Sequence, residues 1–375
     1  MKEKRFTPVH MIAIAGGSVL VTLCGVALAA WLFLGSGGLT MLQGLHLIEG
    51  RFVGEQTESA VLDGAMSGMV SALGDRWSYY ATPEQFAAQN LRRTNHYVGI
   101  GVTVTYEREE GLLVQSVTQG GTAQESGILP GDVIVSADGF SLAGEGKTEG
   151  AAKIQGEEGT SVTLEILSPD GTKRTVTLLR RSMEVEAVTY EKLESGLGYI
   201  KVANFYERTA ESVEKAVADL QKQGVTGLIF DMRNNPGGYL GELTEMLDYL
   251  LPEGPIFASH SKNGPTQTTQ SDAACIDLPM AVLVNQDTYS AAEFFAAQLR
   301  ESVGAPIIGT TTCGKGYSQQ SFPLKNGGAL AISTGAYTTG KGVSLVGTGL
   351  VPDRELPLSE TEDNQLAAAV DALHK

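Results

Sequence analysis

The sequence has few of the residues that mark a metal site or a nucleic-acid partner. Only three cysteines occur in 375 residues, and the spacing of Cys24, Cys275 and Cys313 fits no metal site. Lysine and arginine number 27 against 43 aspartates and glutamates, which gives a formal net charge of −16. Binding to phosphate groups needs an excess of positive charge, so nucleic acid is not a predicted partner. Nothing in the sequence requires a metal or an organic cofactor.

Histidine is also scarce, and none stands in a catalytic motif. The five histidines are His10, His46, His96, His260 and His374. The segment around His260 is polar, which predicts a solvated surface position. The sequence therefore does not favour a catalytic triad with a histidine base.

One long uncharged segment lies near the N-terminus. Met11 to Leu34 contains no charged residue, and as a helix it would be about 36 Å long, enough to cross a bilayer. The basic residues ahead of it predict a cytoplasmic N-terminus, with the remainder outside; they are Lys2, Lys4 and Arg5. A cleaved signal peptide is the alternative, because Ala27-Leu28-Ala29 has the form of a cleavage site. We favour the membrane helix because the apolar run continues to Leu34.

Residues 35–96 show helical periodicity. Apolar residues recur at spacings of three and four from Leu45 to Phe52 and from Val61 to Leu73. Such a stripe predicts packing in a core or between the N-terminal helices of a homodimer.

Residues 97–181 change to short β-rich runs separated by glycine turns, which predict a small, self-contained β-rich domain. One helix is predicted at Glu149–Ile154. The predicted strands are Gly101–Tyr106, Leu112–Val117, Val133–Ala137, Ser161–Leu167 and Lys173–Leu179.

Two segments of this region resemble the signature of PDZ domains. They are Gly127 to Ile134, GILPGDVI, followed by Asp138-Gly139, and the entry Tyr97 to Gly101. The resemblance implies that main-chain amides bind the C-terminal carboxylate of a peptide, which adds a strand beside the sheet. These amides would be those of Val98, Gly99, Ile100 and Gly101. A PDZ fold that serves only as a spacer or lid is the alternative.

Residues 182–375 alternate strands with helices, and this predicts a parallel sheet with right-handed crossovers. The predicted βαβ unit consists of Gly198–Ala203, Thr209–Gln223 and Thr226–Asp231. The sequence DMRNNPGG, Asp231 to Gly238, then forms a turn into a helix at Tyr239–Leu251. The segment Gly254–Asp272 is polar and rich in turn residues, so we expect an exposed loop. In such sheets ligands bind beyond the carboxyl ends of the strands.

Ser290 stands between a predicted buried strand, Met280–Val284, and a predicted helix, Ala291–Leu299. A hydroxyl at such a turn is placed for nucleophilic attack if a neighbouring base accepts its proton. However, Ser290-x-x-Glu293 is also the pattern of a capping box, so this serine could simply cap the helix. The sequence leaves both interpretations open.

Lys315 lies in a glycine-rich turn after the short apolar run Pro306–Ile308. A lysine acts as a base only in its neutral form, which burial away from carboxylates favours. The preceding sequence, GTTTCGK, imitates a phosphate-binding P-loop, but Gly316 replaces the magnesium-binding Ser or Thr. Tyr317–Phe322 does not begin a helix, so the main anion attraction is missing. We therefore predict a base and not a nucleotide site.

Acyl transfer also needs hydrogen-bond donors for the oxyanion, and main-chain amides at helix starts supply them. Gly237 and Gly238 precede one predicted helix and Ala291 begins another. An ordinary tight turn at Asn234 to Gly238 is the simpler alternative.

Three motifs, DMRNNPGG, TYSAAE and TCGKGYSQ, follow the PDZ-like region in this order. Together they resemble the carboxyl-terminal processing peptidases, also called tail-specific proteases, from about residue 64 to Pro352. The resemblance implies a Ser-Lys endopeptidase with a crotonase-like α/β core, whose substrates are proteins or peptides selected by their C-terminal tails. It implies that Ser290 is the nucleophile, Lys315 the base and Gln319 the partner that orients the lysine. The oxyanion hole would consist of Gly237, Gly238 and Ala291.

The resemblance has two departures. Gln155 stands where many relatives have an arginine that helps to link peptide binding to the active site, so such a link would be absent or built differently. Cys313 replaces a more usual aromatic residue and brings a thiol near Lys315.

The predicted architecture is an α/β protein with a crotonase-like protease core, an inserted β-rich PDZ domain, a helical N-terminal region and one N-terminal transmembrane helix. The predicted segments are a cytoplasmic tail at 1–10, a membrane helix at 11–34, a helical region at 35–96, the PDZ domain at 97–181 and the core at 182–375. A membrane-anchored PDZ adaptor with a degenerate core is the competing interpretation.

Overall fold

The computed structural model describes residues 7–262 and 264–374. The chain divides into two compact units, Met1–Tyr80 and Ala81–Lys375. The basic residues at positions 2, 4 and 5, on which the predicted orientation rests, lie outside the described residues.

The first unit is helical. Helix α1, Pro8–Arg51, is interrupted at Gly35, whose φ of 62° and ψ of −173° are not helical. The stretch Met11–Ala29 has a mean hydropathy of 2.2 and is long and apolar enough to cross a membrane. Since Gly35 directly follows the predicted span, the helix breaks where the apolar run ends.

Helix α2, Glu58–Ser71, begins at Thr57, whose hydroxyl accepts a 3.2 Å hydrogen bond from the amide of Ala60. Much of the predicted apolar stripe is not buried in this chain. Ile48, Phe52, Met69 and Leu73 are all exposed. The expectation of core packing is therefore wrong for these four residues, because α1 and α2 leave that face uncovered.

Strand β1, Tyr79–Ala81, precedes helix α3, Pro83–Arg93. A capping box begins α3: the Gln85 amide donates to the Thr82 hydroxyl at 3.3 Å, and the Thr82 amide donates back to Gln85 Oε1 at 3.1 Å. This sharp start fixes the direction of α3, which leads towards the β-rich region.

The β-rich region consists of an antiparallel sheet around its own core and a separate pair of strands, β2 and β9. Its elements are β2 His96–Gly99, β3 Val102–Thr105, β4 Leu112–Val117, α4 Thr122–Glu125, β5 Val133–Ala137, β6 Phe140–Ser141, α5 Lys147–Ile154, β7 Ser161–Leu167, β8 Lys173–Leu179 and β9 Arg181–Glu184. The antiparallel order is β3-β4-β5-β7-β8, with β6 beside β5. Leu112, Ile134 and Leu164 are fully buried at its centre. The predicted strands are present.

The main sheet of the α/β core has the order β10-β11-β12-β15-β16-β19. Its elements, with the intervening ones, are β10 Val188–Lys192, β11 Gly198–Val202, α6 Thr209–Lys222, β12 Leu228–Asp231, α7 Leu240–Leu250, β13 Gly254–Ser261, β14 Gln267–Ser271, β15 Met280–Val284, α8 Ala291–Val303, β16 Ile307–Gly309, β17 Tyr317–Pro323, β18 Ala329–Thr339, β19 Arg354–Glu355 and α9 Asn364–Leu373. Within this sheet β11, β12, β15, β16 and β19 run parallel, and β10 is antiparallel to β11. This confirms the βαβ prediction.

Both faces of this sheet are covered, as parallel sheets require. Leu228 and Phe230 of β12 pack towards α6, α7 and α8, while Ile229 packs on the face of α9 with Ala368 and Ala369. All four residues of β12 are buried. The carboxyl ends of β12, β15 and β16 consequently meet at one edge, where their following turns come together.

A second, antiparallel sheet has the order β14-β13-β18-β17. It corrects the expectation of an exposed loop at Gly254–Asp272, where β13 and β14 pair. Ile256 and Phe257, each 1% exposed, hold β13 against the core. His260 is likewise half-buried and bonds Thr266 and Thr338, at 3.0 and 3.1 Å.

Candidate active site

Ser290 lies at the turn between β15 and α8, as predicted, and its backbone is strained. Its φ of 53° and ψ of −120° lie in a region that residues with a side chain rarely adopt. Strain of this kind persists where the surroundings fix it, and it is typical of nucleophiles at a strand-to-helix turn. The side chain is half-buried. The hydroxyl therefore projects at the carboxyl edge of the sheet, next to the start of α8.

Glu293 joins the serine turn to the lysine turn. The Glu293 half of the predicted capping box is present, since its carboxylate accepts a 2.8 Å hydrogen bond from the Ser290 amide. The Glu293 amide donates to the Ser290 carbonyl at 2.9 Å. The same carboxylate accepts from the Lys315 amide at 2.8 Å, from the Gly314 amide at 2.7 Å and from the Thr312 hydroxyl. Glu293 is 0% exposed. Glu293 thus brings a buried carboxylate to the main chain of the Lys315 turn.

The turn Asp231 to Gly238, which we call the oxyanion turn, is bonded to the serine turn at several points. The Tyr289 amide donates to the Asn235 carbonyl at 2.9 Å, and the Thr288 hydroxyl donates to the Met232 carbonyl at 2.8 Å. Asn285 exchanges hydrogen bonds of 2.8 and 2.9 Å with Asn234. These bonds keep the two turns in one arrangement.

Gly237 brings the oxyanion turn directly against Ser290. Its φ is 81°, and a Cβ at this position would lie 2.9 Å from the Ala291 nitrogen and 3.0 Å from Ser290 Cβ. The Gly237 amide itself donates to Asn235 Oδ1 at 2.8 Å. In this conformation the candidate oxyanion donors are therefore the amides of Gly238 and Ala291. Ala291 is the first residue of α8, so its amide has no partner within the helix.

Lys315 is half-buried in the turn between β16 and β17. The Cys313 amide donates to the Thr288 carbonyl at 3.2 Å and ties this turn to the serine turn. Gly314, at φ 81°, lies so close to the next turn that a Cβ would come 2.9 Å from the Gly349 nitrogen. A strand follows the turn where a P-loop needs a helix. Gln319 lies on that strand, opposite Ser333 and beside an irregularity in the pairing.

An ion-pair cluster, buried at Asp231, largely buried at Arg233 and exposed at Asp363, fixes the start of the oxyanion turn. Arg233 bonds both carboxylate oxygens of Asp231, at 2.6 and 2.9 Å, and both of Asp363, at 2.8 and 2.9 Å. Burial lowers the pKa of Arg233, but its bonds to the two aspartates outweigh this and raise the pKa above its usual value. Burial and the charge of Asp231 also raise the pKa of Tyr199, which donates to Asp231 at 2.6 Å. The cluster fastens α9 to the oxyanion turn.

A small apolar cavity of about 20 Å³ opens beside Ser290. Its lining consists of Gly238, Leu240, Leu243, Phe257, Ser290, Ala291, Phe294 and Tyr337. A volume of this size admits little more than one water molecule. The cavity adjoins both candidate oxyanion donors.

The predicted peptide-binding segment lies where the PDZ-like sheet joins the rest of the chain. Val98 and Gly99 of β2 pair with Ser182 and Arg181 of β9. Ile100 is buried, and its carbonyl accepts from the Ala123 amide at 2.9 Å. Gly101 has a φ of 83° and turns the chain into β3.

Sequence reasoning missed Glu293 as a bridge and Arg233 with Asp363 as an anchor. The capping-box pattern already pointed to a bond between Glu293 and the serine turn. Its other partners, Thr312, Gly314 and Lys315, follow a different strand, β16, so no local pattern predicts them. Asp363 lies far from Arg233 in the chain, and no local pattern joins the two.

Comparisons with known proteins agree with the motifs. Residues 196–356 match Peptidase family S41, and residues 97–179 match a PDZ domain. Carboxy-terminal processing protease CtpA of Bacillus subtilis is 32% identical over 304 residues, which cover 80% of this chain and 65% of that protein. The carboxyl-terminal-processing protease of Synechocystis sp. is 31% identical over 325 residues, 82% of this chain and 76% of that protein.

Solved structures show the same fold. The photosystem II D1 C-terminal processing protease is 26% identical, with a TM-score of 0.53 over 92% of both chains. A putative S41 protease from Bacteroides fragilis, 19% identical, has a TM-score of 0.57 over 85% of this chain and 90% of that chain. Fold, motif order and identity agree, and the chain therefore belongs to the carboxyl-terminal processing proteases of peptidase family S41.

Proposed function

We propose that this protein is a Ser-Lys endopeptidase that cleaves proteins or peptides recognised by their C-terminal tails. The observation that carries the proposal is the strained Ser290 at the start of α8, joined through the buried Glu293 carboxylate to the main chain of Lys315. A residue that only caps a helix does not need a strained backbone. The carboxylate shared by both turns holds two motifs that are distant in sequence together at one site.

In the proposed reaction, the neutral Lys315 amine accepts the proton of the Ser290 hydroxyl as the oxygen attacks the scissile carbonyl carbon. The Gly238 and Ala291 amides stabilise the oxyanion that forms. Lys315 then gives its proton to the leaving amine, and the peptide C–N bond breaks to leave an acyl-serine. Water then attacks the ester carbonyl carbon while Lys315 accepts a proton from the water. The ester C–O bond breaks, the carboxylic acid product leaves, and Lys315 returns the proton to Ser290 Oγ. Gln319 orients the lysine.

The apolar cavity beside Ser290 is the proposed site for the substrate side chain that precedes the cleaved bond. Its walls, Leu243, Phe257, Phe294 and Tyr337, offer no charge, so a small apolar side chain fits best. A larger side chain would require these walls to move apart.

The PDZ domain is the proposed site of tail recognition. Main-chain amides at Val98 to Gly101 would bind the carboxylate of an apolar C-terminus, while the substrate adds a strand to the edge strand β3. A substrate whose C-terminus is amidated would lose this interaction.

The apolar helix at Met11–Ala29 supports a membrane anchor, with the peptidase on the extracytoplasmic side. The lipid bilayer would then be a partner, and the exposed face of α1 and α2 would pair two chains into a homodimer. Detergent extraction of the full chain, followed by light scattering, tests both points. Release without detergent opposes the anchor, and a monomer opposes the dimer.

A peptide with an apolar C-terminus distinguishes the peptidase from a non-catalytic PDZ adaptor. We expect cleavage by the wild-type chain, and none by Ser290→Ala or Lys315→Ala. Lys325→Ala, at an exposed lysine in the loop between β17 and β18, is the control and should cleave normally. Peptide binding without turnover, across pH values and peptide lengths, would favour the adaptor.

A further inference from the structure

Two tethers join the PDZ domain to the α/β core, and Asn95 begins the first of them. The tethers are β2 and β9, which pair from His96 with Glu184 onwards. Asn95 has a φ of 57° and is 7% exposed. A buried left-handed residue other than glycine is uncommon, and it persists only where its surroundings hold it.

The Asn95 side chain bonds the tether to a core segment. Its Nδ2 donates to the Glu207 carbonyl at 2.9 Å, and its Oδ1 accepts from Asn204 Nδ2 at 2.9 Å. Its main-chain carbonyl accepts from the Val185 amide, just after the second tether, at 2.7 Å. Asn95 thus directly precedes the first tether, bonds the residue that follows the second, and bonds the core segment 204–207.

Asn204 continues this connection into the oxyanion turn. The adjacent Phe205 donates from its amide to the Gly237 carbonyl at 2.9 Å and accepts from the Tyr239 amide at 2.7 Å. The approach is close, since a Cβ on Gly238 would lie 2.2 Å from the Phe205 carbonyl oxygen. Any displacement of Phe205 is therefore passed directly to Gly237 and Gly238. Asn204 Oδ1 also accepts from the Tyr206 amide at 2.8 Å and so fixes Phe205 from both sides.

The surroundings of Asn95 leave room for the tether to move. A cavity of about 440 Å³ lies beside it, lined by tether residues including His96 and Glu184 and by core residues including Arg208. Arg208 is also left-handed, with a φ of 66°. Of the five described non-glycine residues with positive φ, two line this cavity and two, Asn234 and Ser290, lie in the candidate active site.

We propose that Asn95 and Asn204 are positioning residues, which set the oxyanion turn according to the position of the PDZ tethers. This inference rests on the proposed function, because only a peptidase needs the Gly238 amide at a fixed position relative to Ser290. The predicted carboxylate-binding segment begins at Val98, three residues after Asn95. Tail binding at that segment therefore acts on the strand that Asn95 anchors. The hydrogen-bonded side chains of Asn95 and Asn204 then transmit the displacement of this strand to Gly238.

Hydrogen exchange tests the connection without relying on catalysis. The full-length chain is compared as wild type, Asn95→Gly and Asn204→Ala, with and without an apolar-tailed peptide. Glycine accepts the left-handed backbone, so Asn95→Gly removes the side chain without adding strain. Gln298→Ala is the control, because it also removes a buried amide, one that bonds Pro255, Ser302 and Gly340.

We expect the Phe205 and Tyr239 amides to exchange about fivefold faster in both tether variants, the ratio that loss of one ordinary hydrogen bond produces. Peptide should change this exchange in the wild type and in the control, but not in the tether variants. Unchanged exchange at these two amides in Asn95→Gly overturns the inference, even if Asn204→Ala fails to fold. This outcome is independent of whether the chain hydrolyses peptides.

The kcat and KM of peptide cleavage distinguish a positioning role from a purely structural one. Where the oxyanion turn is displaced, kcat should fall about tenfold, a fraction of the loss caused by removing an oxyanion donor, while KM stays unchanged. Asn95→Gly/Asn204→Ala should lose no more than either single variant, because the two residues act as one unit. Additive losses, or a rise in KM with constant kcat, would contradict the proposal. Absence of any Ser290-dependent cleavage would instead refute the proposed function and leave the exchange result to stand alone.

Discussion

The substitution Glu293→Gln separates the bridging role of this carboxylate from its size. Glutamate accepts four hydrogen bonds here, two at each oxygen. Oε1 faces the Thr312 hydroxyl and the Gly314 amide, and Oε2 faces the amides of Ser290 and Lys315. Glutamine replaces one oxygen by an NH₂ group, which can only donate. In either orientation at least one main-chain amide then faces a donor.

The expected cost follows from this count. A hydrogen bond to a charged group contributes about 1.5–3 kcal/mol, and a buried donor left without an acceptor costs about 1–3 kcal/mol. Glutamine keeps at most two of the four bonds, so we expect Glu293→Gln to lower the free energy of unfolding by about 3–5 kcal/mol, as for other broken buried charge networks. If the variant folds, relaxation of the two turns should lower kcat about 100-fold, the effect of a displacement near 1 Å.

Denaturant unfolding and peptide cleavage measure the two effects. Glu301→Gln is the matched control, because Glu301 lies on the same helix and its carboxylate also bonds a threonine hydroxyl and a main-chain amide, those of Thr339 and Lys341. The control should unfold at slightly lower denaturant and keep its kcat. A Glu293→Gln variant that loses no more stability than Glu301→Gln and cleaves at the wild-type rate would contradict the bridging role of Glu293.

Three further predictions concern the same edge of the sheet. Gly237→Ala should lower cleavage at least tenfold in a peptide assay, because its Cβ would press on Ser290 and Ala291; a normal rate would contradict this close approach. Arg233→Ala should lower the free energy of unfolding by about 3–5 kcal/mol in denaturant, whereas a loss under 1 kcal/mol would show that the Asp231–Arg233–Asp363 cluster is not needed. Burial raises the pKa of Asp363, but hydrogen bonds from Arg233 and main-chain amides outweigh it and hold the pKa below its ordinary 3.8. Ionised Asp363 therefore contributes to the free energy of unfolding above that pH, and this contribution is lost as the pH falls through the lower folded-state pKa. Asp363→Asn should reduce the loss of stability with falling pH below pH 4. An unchanged pH dependence would contradict this.

The pH dependence of cleavage tests the role of Lys315. If the neutral amine is the base, the rate should rise with pH while chemistry is the slow step, because more lysine loses its proton. Peptide cleavage from pH 5 to 9 measures this. A constant rate, with chemistry limiting, would contradict a lysine base.

Sequence patterns were enough for the parts of the chain that local rules govern. The buried strand before Ser290, the helix after it and the parallel βαβ unit all have apolar runs of the right length. The placement of Ser290 and of the Lys315 turn at one edge follows from parallel strands β15 and β16. No such rule reaches from Glu293 to Thr312 or from Arg233 to Asp363, because these partners meet only after the chain has folded.

Two expectations were wrong where the apolar pattern of the sequence does not match the burial of the residues. The polar segment Gly254–Asp272 satisfies its main chain by pairing β13 with β14 and β18, and only Ile256 and Phe257 anchor it to the interior. Two apolar residues in a polar stretch give a weak periodic signal. The apolar stripe of α1 and α2 shows the opposite mismatch. Its helical periodicity is clear, but its residues are not buried within this chain.

The most direct test of the Ser-Lys mechanism is to trap the acyl intermediate and locate it. The chain is mixed with an activated ester of a short apolar peptide, quenched in acid, digested and analysed by mass spectrometry. We expect an acyl group on the peptide that contains Ser290, formed more slowly in Lys315→Ala and absent in Ser290→Ala. Hydrolysis by Ser290→Ala at the wild-type rate, or an acyl group on another residue, would contradict it.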